Sequence, residues 1–457
     1  MENSISTMVF QQCIIPTCGK KYPVSEIRTQ CDCGNLLDVV YSKKPSPKLK
    51  KIFSERRNHQ GNIFDESGVW RFRELINFAG VDCENYKNYS GVFVSLDGDE
   101  GKTKPFHLSK VAKYVDVSPE TFYLQFEGRN PTGSFKDNGM ATGFTHAKML
   151  GVKKVGCAST GNTAASLSAF AANEGWEAII FIGEGKIAAG KLAQTLAYGA
   201  KVIQIKGDFD DAFEKIKQVA KETGLYLLNS INAFRLEGQK TIIYRVLDYF
   251  NWQVPDWIIW PGGNLGNSAA FGKGFSELKE WGFIKKIPRI AIINAEGANT
   301  LFTLYNKRGL RWNEGRVDDK IIEEYYFYLD KNNIKAKTRA SAIEILKPAN
   351  LKKALRTLEF LNSVVAEISD QEIFDAQAVV SKNGFGCEPA SAATVAGIKK
   401  LREQGVIEKN ETVVGILTGE ILKDPQAIID YHFNSENKFA NPPIKVEDDL
   451  KTIMKLI

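Results

Sequence analysis

Short apolar segments alternate with longer, mixed segments along the chain after about residue 90. The apolar segments are rich in β-branched residues and almost continuously apolar, which is typical of parallel strands buried on both faces. The predicted strands are Phe122–Gln125, Lys154–Ala158, Ala178–Ile182, Lys201–Ile205, Leu225–Leu228, Trp257–Trp260, Arg289–Asn294 and Thr412–Leu417. The predicted helices between them include Ala164–Glu174, Ala189–Tyr198, Asp210–Thr223, Gly238–Phe250 and Ser268–Trp281. This alternation predicts an α/β fold with largely parallel sheets flanked by helices.

One predicted helix begins with a lysine. The turn-forming sequence Asn130–Gly133 places Lys136 in the first turn of a helix that we expect to end at Gly151. Ser134 and Asp137 have the S-x-x-D spacing of a capping box. The positive end of the helix dipole makes a lysine easier to deprotonate, which a lysine that forms a Schiff base requires. Lys136 is therefore the candidate catalytic residue, although a lysine that follows a loop is more often only a surface residue.

Two other loops lead from a predicted strand into a helix. The loop Cys157–Thr163 carries Ser, Thr and Asn, which predict helix caps or, through free backbone N–H groups, a carboxylate site. The loop Gly262–Asn267 has the strand–glycine–helix arrangement that binds phosphate through backbone amides. It lacks both the Lys-Ser/Thr of a P-loop and the G-x-G-x-x-G spacing. We therefore expect a small phosphorylated cofactor there rather than a nucleotide.

The first 42 residues form a separate cysteine-rich segment. Cys13 and Cys18 precede Cys31 and Cys33, and a glycine follows each pair. The pattern resembles a zinc ribbon, but C-x4-C and C-x-C depart from the usual C-x2-C spacing, so zinc and a metal-free hairpin stay open as alternatives. Elsewhere we expect a linker at Ser42–Lys51 and an inserted excursion at Arg308–Ile334. A charged C-terminal tail is expected at Glu436–Ile457.

Length and charge narrow the class of protein. A chain of 457 residues is too long for one simple core, so two or more domains are expected. The net charge is +6, and the positive charges are interleaved with acids, which argues against a nucleic-acid interface and suits phosphorylated substrates. No apolar run approaches the ~20 residues that span a bilayer, and Met1–Gln12 lacks the pattern of a secretory signal. The seven widely spaced cysteines fit a reducing compartment, so we expect a cytoplasmic location.

Five segments together resemble the threonine synthases, a family of enzymes that depend on pyridoxal 5′-phosphate (PLP) and have fold type II. They are Ser134–Asp137, Ser159–Ser166, Gly262–Asn267, Cys387–Ala393 and Leu417–Pro425, in the family's order. The resemblance covers nearly the whole chain beyond residue 60, and members of archaeal type carry a similar cysteine-rich segment. It implies a zinc-ribbon-like segment at 1–42, a large PLP-binding domain from 43–144 and 236–435, a small mobile domain at 145–235 and a tail at 436–457.

The resemblance also implies a role for individual residues. Lys136 would form the Schiff base with the cofactor and then serve as a base, Asn162 would bind the 3′-oxygen of the cofactor, and Thr418 would face its pyridine nitrogen. The residues that would hold the cofactor phosphate are Gly263, Asn264, Leu265, Gly266 and Asn267. The residues that would contact the substrate are Ser159, Thr160 and Thr163, with Asn229 and Arg235 at its phosphate.

The activity implied is that of a lyase that converts O-phospho-L-homoserine and water to L-threonine and phosphate, in a homodimer. The alternatives are a threonine/serine dehydratase and a β-replacement synthase that uses phosphoserine, such as a cysteate synthase. The pair Asn229 and Arg235 favours a phosphorylated substrate, because a guanidinium fork matches phosphate geometry. A regulatory protein without catalysis is disfavoured by the presence of Lys136, Asn162 and Thr418. Many relatives have histidine where Glu420 stands, and we expect this carboxylate to point away from the cofactor.

Overall fold

The computed structural model describes residues 8–184, 189–207 and 209–457, so residues 1–7 of the predicted cysteine-rich segment lie outside it. The strands are β1 Val9–Cys13, β2 Lys21–Pro23, β3 Leu37–Tyr41, β4 Pro105–Phe106, β5 Phe122–Phe126, β6 Lys154–Ala158, β7 Glu177–Gly183, β8 Lys201–Ile205, β9 Tyr226–Leu227, β10 Trp257–Pro261, β11 Arg289–Ala295, β12 Val364–Ile368 and β13 Val413–Leu417. The α-helices are α1 Leu49–Arg57, α2 Ile63–Glu66, α3 Tyr86–Tyr89, α4 Ser109–Val115, α5 Lys136–Met149, α6 Asn162–Glu174, α7 Ala189–Ala197, α8 Phe209–Thr223, α9 Ala233–Tyr249, α10 Gly266–Glu280, α11 Thr300–Phe302, α12 Asp319–Lys331, α13 Leu351–Phe360, α14 Asp370–Lys382, α15 Pro389–Glu403, α16 Pro425–Phe433 and α17 Leu450–Met454.

The strands form three sheets. The largest has the order β12-β11-β10-β13-β5-β4, and all of its pairs are parallel except β4 with β5. A second sheet, β8-β7-β6-β9, is wholly parallel, and the cysteine-rich segment forms the antiparallel sheet β2-β1-β3. In parallel sheets the carboxyl ends of the strands meet at one edge, and ligands bind there. The loops that follow β6, β10 and β13 contain most of the residues singled out from the sequence.

The predicted strands correspond to β5 through β11 and β13, and each lies within two residues of its predicted bounds. Two strands of the largest sheet, β4 and β12, were not predicted. Helix α9 begins at Ala233 rather than Gly238, because the side chain of Asn232 accepts hydrogen bonds from the backbone N–H groups of Phe234 and Arg235 at 3.0 and 3.2 Å. The predicted excursion contains α12, whose buried residues are Tyr325 and Leu329.

The predicted capping box at the start of α5 is wrong. The residue before the helix is Phe135, whose side chain makes no cap, and Ser134 Oγ only accepts a 3.4 Å bond from the backbone N–H of Lys136. The carboxylate of Asp137 turns back instead and accepts from the backbone N–H and the hydroxyl of Thr132 at 2.8 and 2.6 Å. It also accepts from the hydroxyl of Ser166 on α6. Asp137 therefore fixes the loop before Lys136 and joins α5 to α6.

The C-terminal end of α5 is as predicted. Gly151 follows the last turn with φ +70°, a left-handed conformation that glycine adopts without strain. Along the middle of α5, two glycines let α9 approach closely: a Cβ on Gly143 would lie 2.9 Å from Arg235 Cγ, and one on Gly139 2.9 Å from the Arg235 carbonyl oxygen. No helix in the described part of the chain is long and apolar enough to cross a membrane.

Candidate active site

A cavity of about 280 Å³ lies at the carboxyl ends of β6, β10 and β13. Twelve of the thirteen residues proposed from the sequence for catalysis, cofactor and substrate line it: Lys136, Ser159, Thr160, Asn162, Thr163, Asn229, Gly263, Asn264, Leu265, Gly266, Asn267 and Thr418. The thirteenth, Arg235, does not. The cavity therefore joins residues that are up to 282 positions apart in the sequence, from Lys136 to Thr418.

Lys136 is the first residue of α5 and lies in the wall of this cavity. The loop before it is held against the end of β13 by the backbone N–H of Phe135, which donates to the carbonyl of Thr418 at 2.9 Å. Burial of the amine and the nearby positive charge of Arg235 lower the pKa of Lys136 to about 7. A substantial fraction of this amine is therefore neutral, and nucleophilic, near neutral pH.

The glycine loop after β10 forms the opposite wall. Helix α10 begins at Gly266, and its first turn leaves backbone N–H groups without partners inside the helix. Bulk is excluded here, because a Cβ on Gly263 would lie 3.2 Å from Ile343 Cα. The side chain of Asn267 is fixed by Gln239, whose Nε2 donates to Asn267 Oδ1 at 2.6 Å. This loop is a suitable cradle for a phosphate.

A carboxylate that the sequence analysis did not weigh lies between Asn162 and Thr418. Glu388 is almost fully buried, and its two carboxylate oxygens accept from Asn162 Nδ2 at 3.2 and 3.1 Å. The hydroxyl of Thr418 lies 3.4 Å from Glu388 Oε1 and 3.0 Å from the hydroxyl of Ser391. The carboxylate acts to raise the pKa of Lys136, against the larger effects of burial and Arg235. Glu388 lies in Cys387–Ala393, one of the five segments that carry the family resemblance, but no role was assigned to it there.

The substrate loop and Asn229 lie at the end of the four-stranded sheet. Ser159, Thr160 and Thr163 surround the N-terminus of α6. The amide of Asn229 brackets the last residue of β6: its Oδ1 accepts from the N–H of Ala158 at 3.0 Å, and its Nδ2 donates to the Ala158 carbonyl at 2.9 Å. One Nδ2 hydrogen of Asn229 stays available to a ligand in the cavity.

Arg235 is a residue of α9 that lies behind the cavity wall, where its fully buried side chain packs against α5. Its Nη1 donates to the carbonyl of Leu228 at 2.7 Å, whereas Nε and Nη2 have no hydrogen-bond partner among the described residues. A buried guanidinium with unpaired nitrogens is costly unless another group pairs with it. In this structure its effect on the cavity is electrostatic, through the pKa of Lys136.

One further segment borders the site, and Glu420 lies outside it. Residues 341–345, which the sequence did not indicate, line the cavity beside the glycine loop. Glu420 does not line it, because its carboxylate accepts from the backbone N–H of Leu422 at 2.8 Å.

The four N-terminal cysteines gather at one point, far along the chain from this cavity. The sulfurs of Cys13 and Cys33 are 3.5 Å apart and those of Cys18 and Cys31 are 3.6 Å apart, and all four lie within 4.8 Å of one another. Tetrahedral zinc with Zn–S bonds of about 2.3 Å needs sulfurs about 3.8 Å apart. The donor set and its spacing therefore fit a structural zinc ion.

Comparisons with known proteins agree with this geometry. The family model of pyridoxal-phosphate dependent enzymes matches residues 96–419. The chain is 42% identical to a threonine synthase of Methanocaldococcus jannaschii, over 98% of this chain and 99% of that one, and 35% identical to the chloroplastic threonine synthase 2 of Arabidopsis thaliana, over 97% and 83%. An L-serine ammonia-lyase of Rhizomucor miehei has the same fold at 19% identity, with a TM-score of 0.56 over 72% of this chain and 94% of that one. The chain thus belongs to the pyridoxal-phosphate dependent enzymes and, within them, to the threonine synthase family.

Proposed function

We propose that this protein converts O-phospho-L-homoserine and water to L-threonine and phosphate. The observation that carries the proposal is that one cavity is lined both by Lys136, whose amine is partly neutral near pH 7, and by a glycine loop at a helix N-terminus. The family to which the chain belongs supports the same reaction.

The residues of the cavity fit PLP. The backbone N–H groups of Gly263–Asn267 would hold its phosphate, and Lys136 would bind its aldehyde carbon. Asn162, whose Oδ1 is buried without a partner among the described residues, and Thr418 would lie against the ring. When bound, PLP supplies an electron sink that makes the Cα–H bond of an amino acid acidic.

Lys136 would move the protons of the reaction. Because its pKa is lowered to about 7, its Nζ can accept protons from the substrate's Cα and Cβ and return protons at Cγ and Cα near neutral pH. The helix start and the bond from Phe135 to Thr418 keep this amine at the cavity wall. A water molecule then adds at Cβ after phosphate has left from Cγ.

The substrate would be held from the side of the four-stranded sheet. Ser159, Thr160 and Thr163, at the N-terminus of α6, offer hydroxyl and backbone donors to its carboxylate. Asn229 and Arg235 would hold the departing phosphate. For Arg235 this role requires its unpaired guanidinium nitrogens to reach the cavity when the proposed small domain, 145–235, closes on the large domain, 43–144 with 236–435.

The test is the activity of the purified holoenzyme. We expect equal amounts of inorganic phosphate and threonine from O-phospho-L-homoserine. The matched controls are L-threonine, which a dehydratase would convert to 2-oxobutyrate, and O-phospho-L-serine with sulfite or sulfide, which a β-replacement synthase would use. Turnover of a control substrate without any turnover of O-phospho-L-homoserine would overturn the proposal.

We also infer that Cys13, Cys18, Cys31 and Cys33 bind one zinc ion. The spacing of their sulfurs supports it, and metal in such a site contributes directly to folding. Elemental analysis of the purified protein should give about one zinc per chain, and Cys31→Ser should remove it. Cys83→Ser is the matched control, because Cys83 is also buried but lies outside the cluster. A zinc content that stays the same in Cys31→Ser would contradict the inference.

The protein is further proposed to act as a cytoplasmic homodimer. Exposed apolar side chains near the C-terminal end, Leu422, Ile429 and Phe433, offer a surface that a second copy could cover. Light scattering at micromolar concentration should give twice the chain mass, and Phe433→Asp should lower it.

A further inference from the structure

A second cavity, of about 430 Å³, lies at a junction of five parts of the chain. Its walls come from the cysteine-rich segment, from α8 beside the four-stranded sheet, from Ile231 before α9, from α12 in the excursion and from residues 347–352. This volume is in the range of sites for small organic ligands. None of the roles considered above uses it.

The chemistry of its walls is mixed. The apolar side chains come from several elements and include Ile14, Leu36, Ile231, Ile322 and Leu351. Three lysines, Lys217, Lys347 and Lys352, stand against one acid, Glu214. The walls therefore combine an apolar surface with an excess of positive charge.

Two of these lysines can be recruited by a ligand. Lys347 pairs with Asp330 at 2.6 Å and Lys352 with Asp319 at 2.8 Å, and neither acid lines the cavity. The side chains of Asp330 and Asp319 are 64% and 55% exposed, so these ion pairs are weak and exchange readily for another anion. Glu214, the acid of the cavity wall, pairs with Lys217, so an anionic group inside the cavity would meet the amines of Lys347 and Lys352.

The wall between this cavity and the active-site cavity is very thin. Ser230 lines the active-site cavity, and the next residue, Ile231, lines the second one. Residues Ala349 and Leu351 line the second cavity, while Asn350 between them is fully buried. Nδ2 of Asn350 donates to the carbonyls of Ser230 and Asn264 at 3.2 and 3.3 Å.

The same wall holds the glycine loop in place. The backbone N–H of Ala349 donates to Asn264 Oδ1 at 2.6 Å, so the side chain and the carbonyl of Asn264 are both bound to this short segment. If a ligand shifted Ala349 or Leu351, these hydrogen bonds would move Asn264 and with it the loop proposed to hold the cofactor phosphate.

We propose that the second cavity binds an organic anion with an apolar body, and that Asn350 transmits its binding to the glycine loop. The apolar walls take the body of the ligand, and Lys347 and Lys352 take its acidic group. Because α8 and residues 347–352 both line the cavity, the ligand also couples the four-stranded sheet to the glycine loop. This makes the cavity an effector site, distinct from the site of the reaction.

The first experiment measures binding to the holoenzyme, whose active-site cavity is occupied. The probe is 8-anilinonaphthalene-1-sulfonate, and its neutral counterpart is N-phenyl-1-naphthylamine. We expect the anion to bind at least about fivefold more tightly than the neutral compound, because the lysines contribute only to the anion. Equal affinities would overturn the proposed ligand class.

Charge variants place the probe in this cavity. Lys347→Glu should raise its Kd at least about fivefold, and Glu214→Lys should lower its Kd, because the two changes alter the charge of the same cavity with opposite sign. The matched control is Lys331→Glu, which makes the same charge change at an exposed position on α12 outside the cavity. A Kd that responds equally to Lys331→Glu, or that does not respond to Glu214→Lys, would overturn the assignment.

The second experiment tests transmission without relying on the proposed reaction. The rate at which hydroxylamine removes PLP from the holoenzyme should change at least about twofold when the probe is saturating. In Asn350→Ala the probe should bind as before, but the removal rate should no longer respond to it. An unchanged removal rate in the parent protein, or an equal response in Asn350→Ala, would overturn the role of Asn350.

Discussion

Lys136 and Lys240 lie on neighbouring helices, α5 and α9, but their surroundings have opposite effects on their charge. Burial and the charge of Arg235 lower the pKa of Lys136 to about 7. Burial acts on Lys240 in the same direction, but the carboxylates of Glu237 and Glu277, each 2.6 Å from its amine, outweigh burial and raise its pKa well above the usual value. The amine of Lys240 therefore stays charged near neutral pH, whereas a substantial fraction of the Lys136 amine is neutral.

The difference shows that burial alone does not make a lysine reactive. Lys240 belongs to a buried network in which Glu237 also accepts from the hydroxyl of Tyr41, on β3, at 2.6 Å, and pairs with Lys273, on α10, at 2.9 Å. The network joins the cysteine-rich segment to α9 and α10. In the described part of the chain no carboxylate pairs with Lys136, and its nearest charged neighbour of like sign is Arg235. One lysine is structural and the other is available for chemistry.

The largest expected effect follows from removing Lys136. Lys136→Ala should lower the activity at least about 10³-fold, because it removes both the nucleophile and the base. Its melting temperature should stay close to that of the parent, because the side chain has no ion pair to lose. Lys148→Ala, on the same helix but in a surface pair with Glu174, should keep nearly full activity. Full activity of Lys136→Arg would show that the amine is not the catalyst.

Removing the other lysine should act on stability instead. Lys240→Met leaves Glu237 and Glu277 buried with only Lys273 to neutralise them, so we expect a loss of about 3 kcal/mol in the free energy of unfolding. Urea denaturation of the holoenzyme measures it, and Lys279→Met, at an exposed position on α10, is the matched control. A variant as stable as the parent would mean that the network does not stabilise the fold.

The protonation states can be compared directly in the cofactor-free protein. Acylation of an amine needs its neutral form, so labelling of Lys136 should be fast above pH 7 and should fall about tenfold per unit below it. Lys240, whose pKa is raised, should stay unlabelled over the same range. Peptide mass spectrometry after brief treatment with acetic anhydride gives both rates. Equal pH profiles for the two lysines would remove the distinction between them.

Much of the site could be predicted because the sequence marks the ends of parallel strands. Ser159, Gly263 and Thr418 each follow a buried apolar strand, and the carboxyl ends of parallel strands meet at one edge. The strand β12 escaped prediction because Val364–Ile368 is interrupted by Glu367, which lies at the surface side of the sheet rather than in its core. The two-residue strand β4 is too short to give a pattern.

Interactions between distant side chains could not be predicted from local sequence. Asp137 has the spacing of a capping residue, but its carboxylate instead accepts hydrogen bonds from Thr132, in the loop before α5, and from the hydroxyl of Ser166. Arg235 matches a family position, but its place behind the cavity depends on the two glycines of α5 that admit it. The position of Glu388 beside Asn162 and Thr418 depends on how α15 packs against the end of β13, which local sequence does not show.

Glu388 provides the finest test of what sets the charge of Lys136. Its carboxylate acts to raise the pKa of Lys136, whereas burial and Arg235 act to lower it. Glu388→Gln puts a side chain of nearly the same shape in the cavity but removes the negative charge. The pKa of Lys136 should therefore fall further, and its labelling at pH 6 should become faster. Glu420→Gln is the matched control, because that carboxylate caps Leu422 outside the cavity. An unchanged labelling rate in Glu388→Gln, or an equal change in Glu420→Gln, would show that the charge of Glu388 does not contribute to the pKa of Lys136.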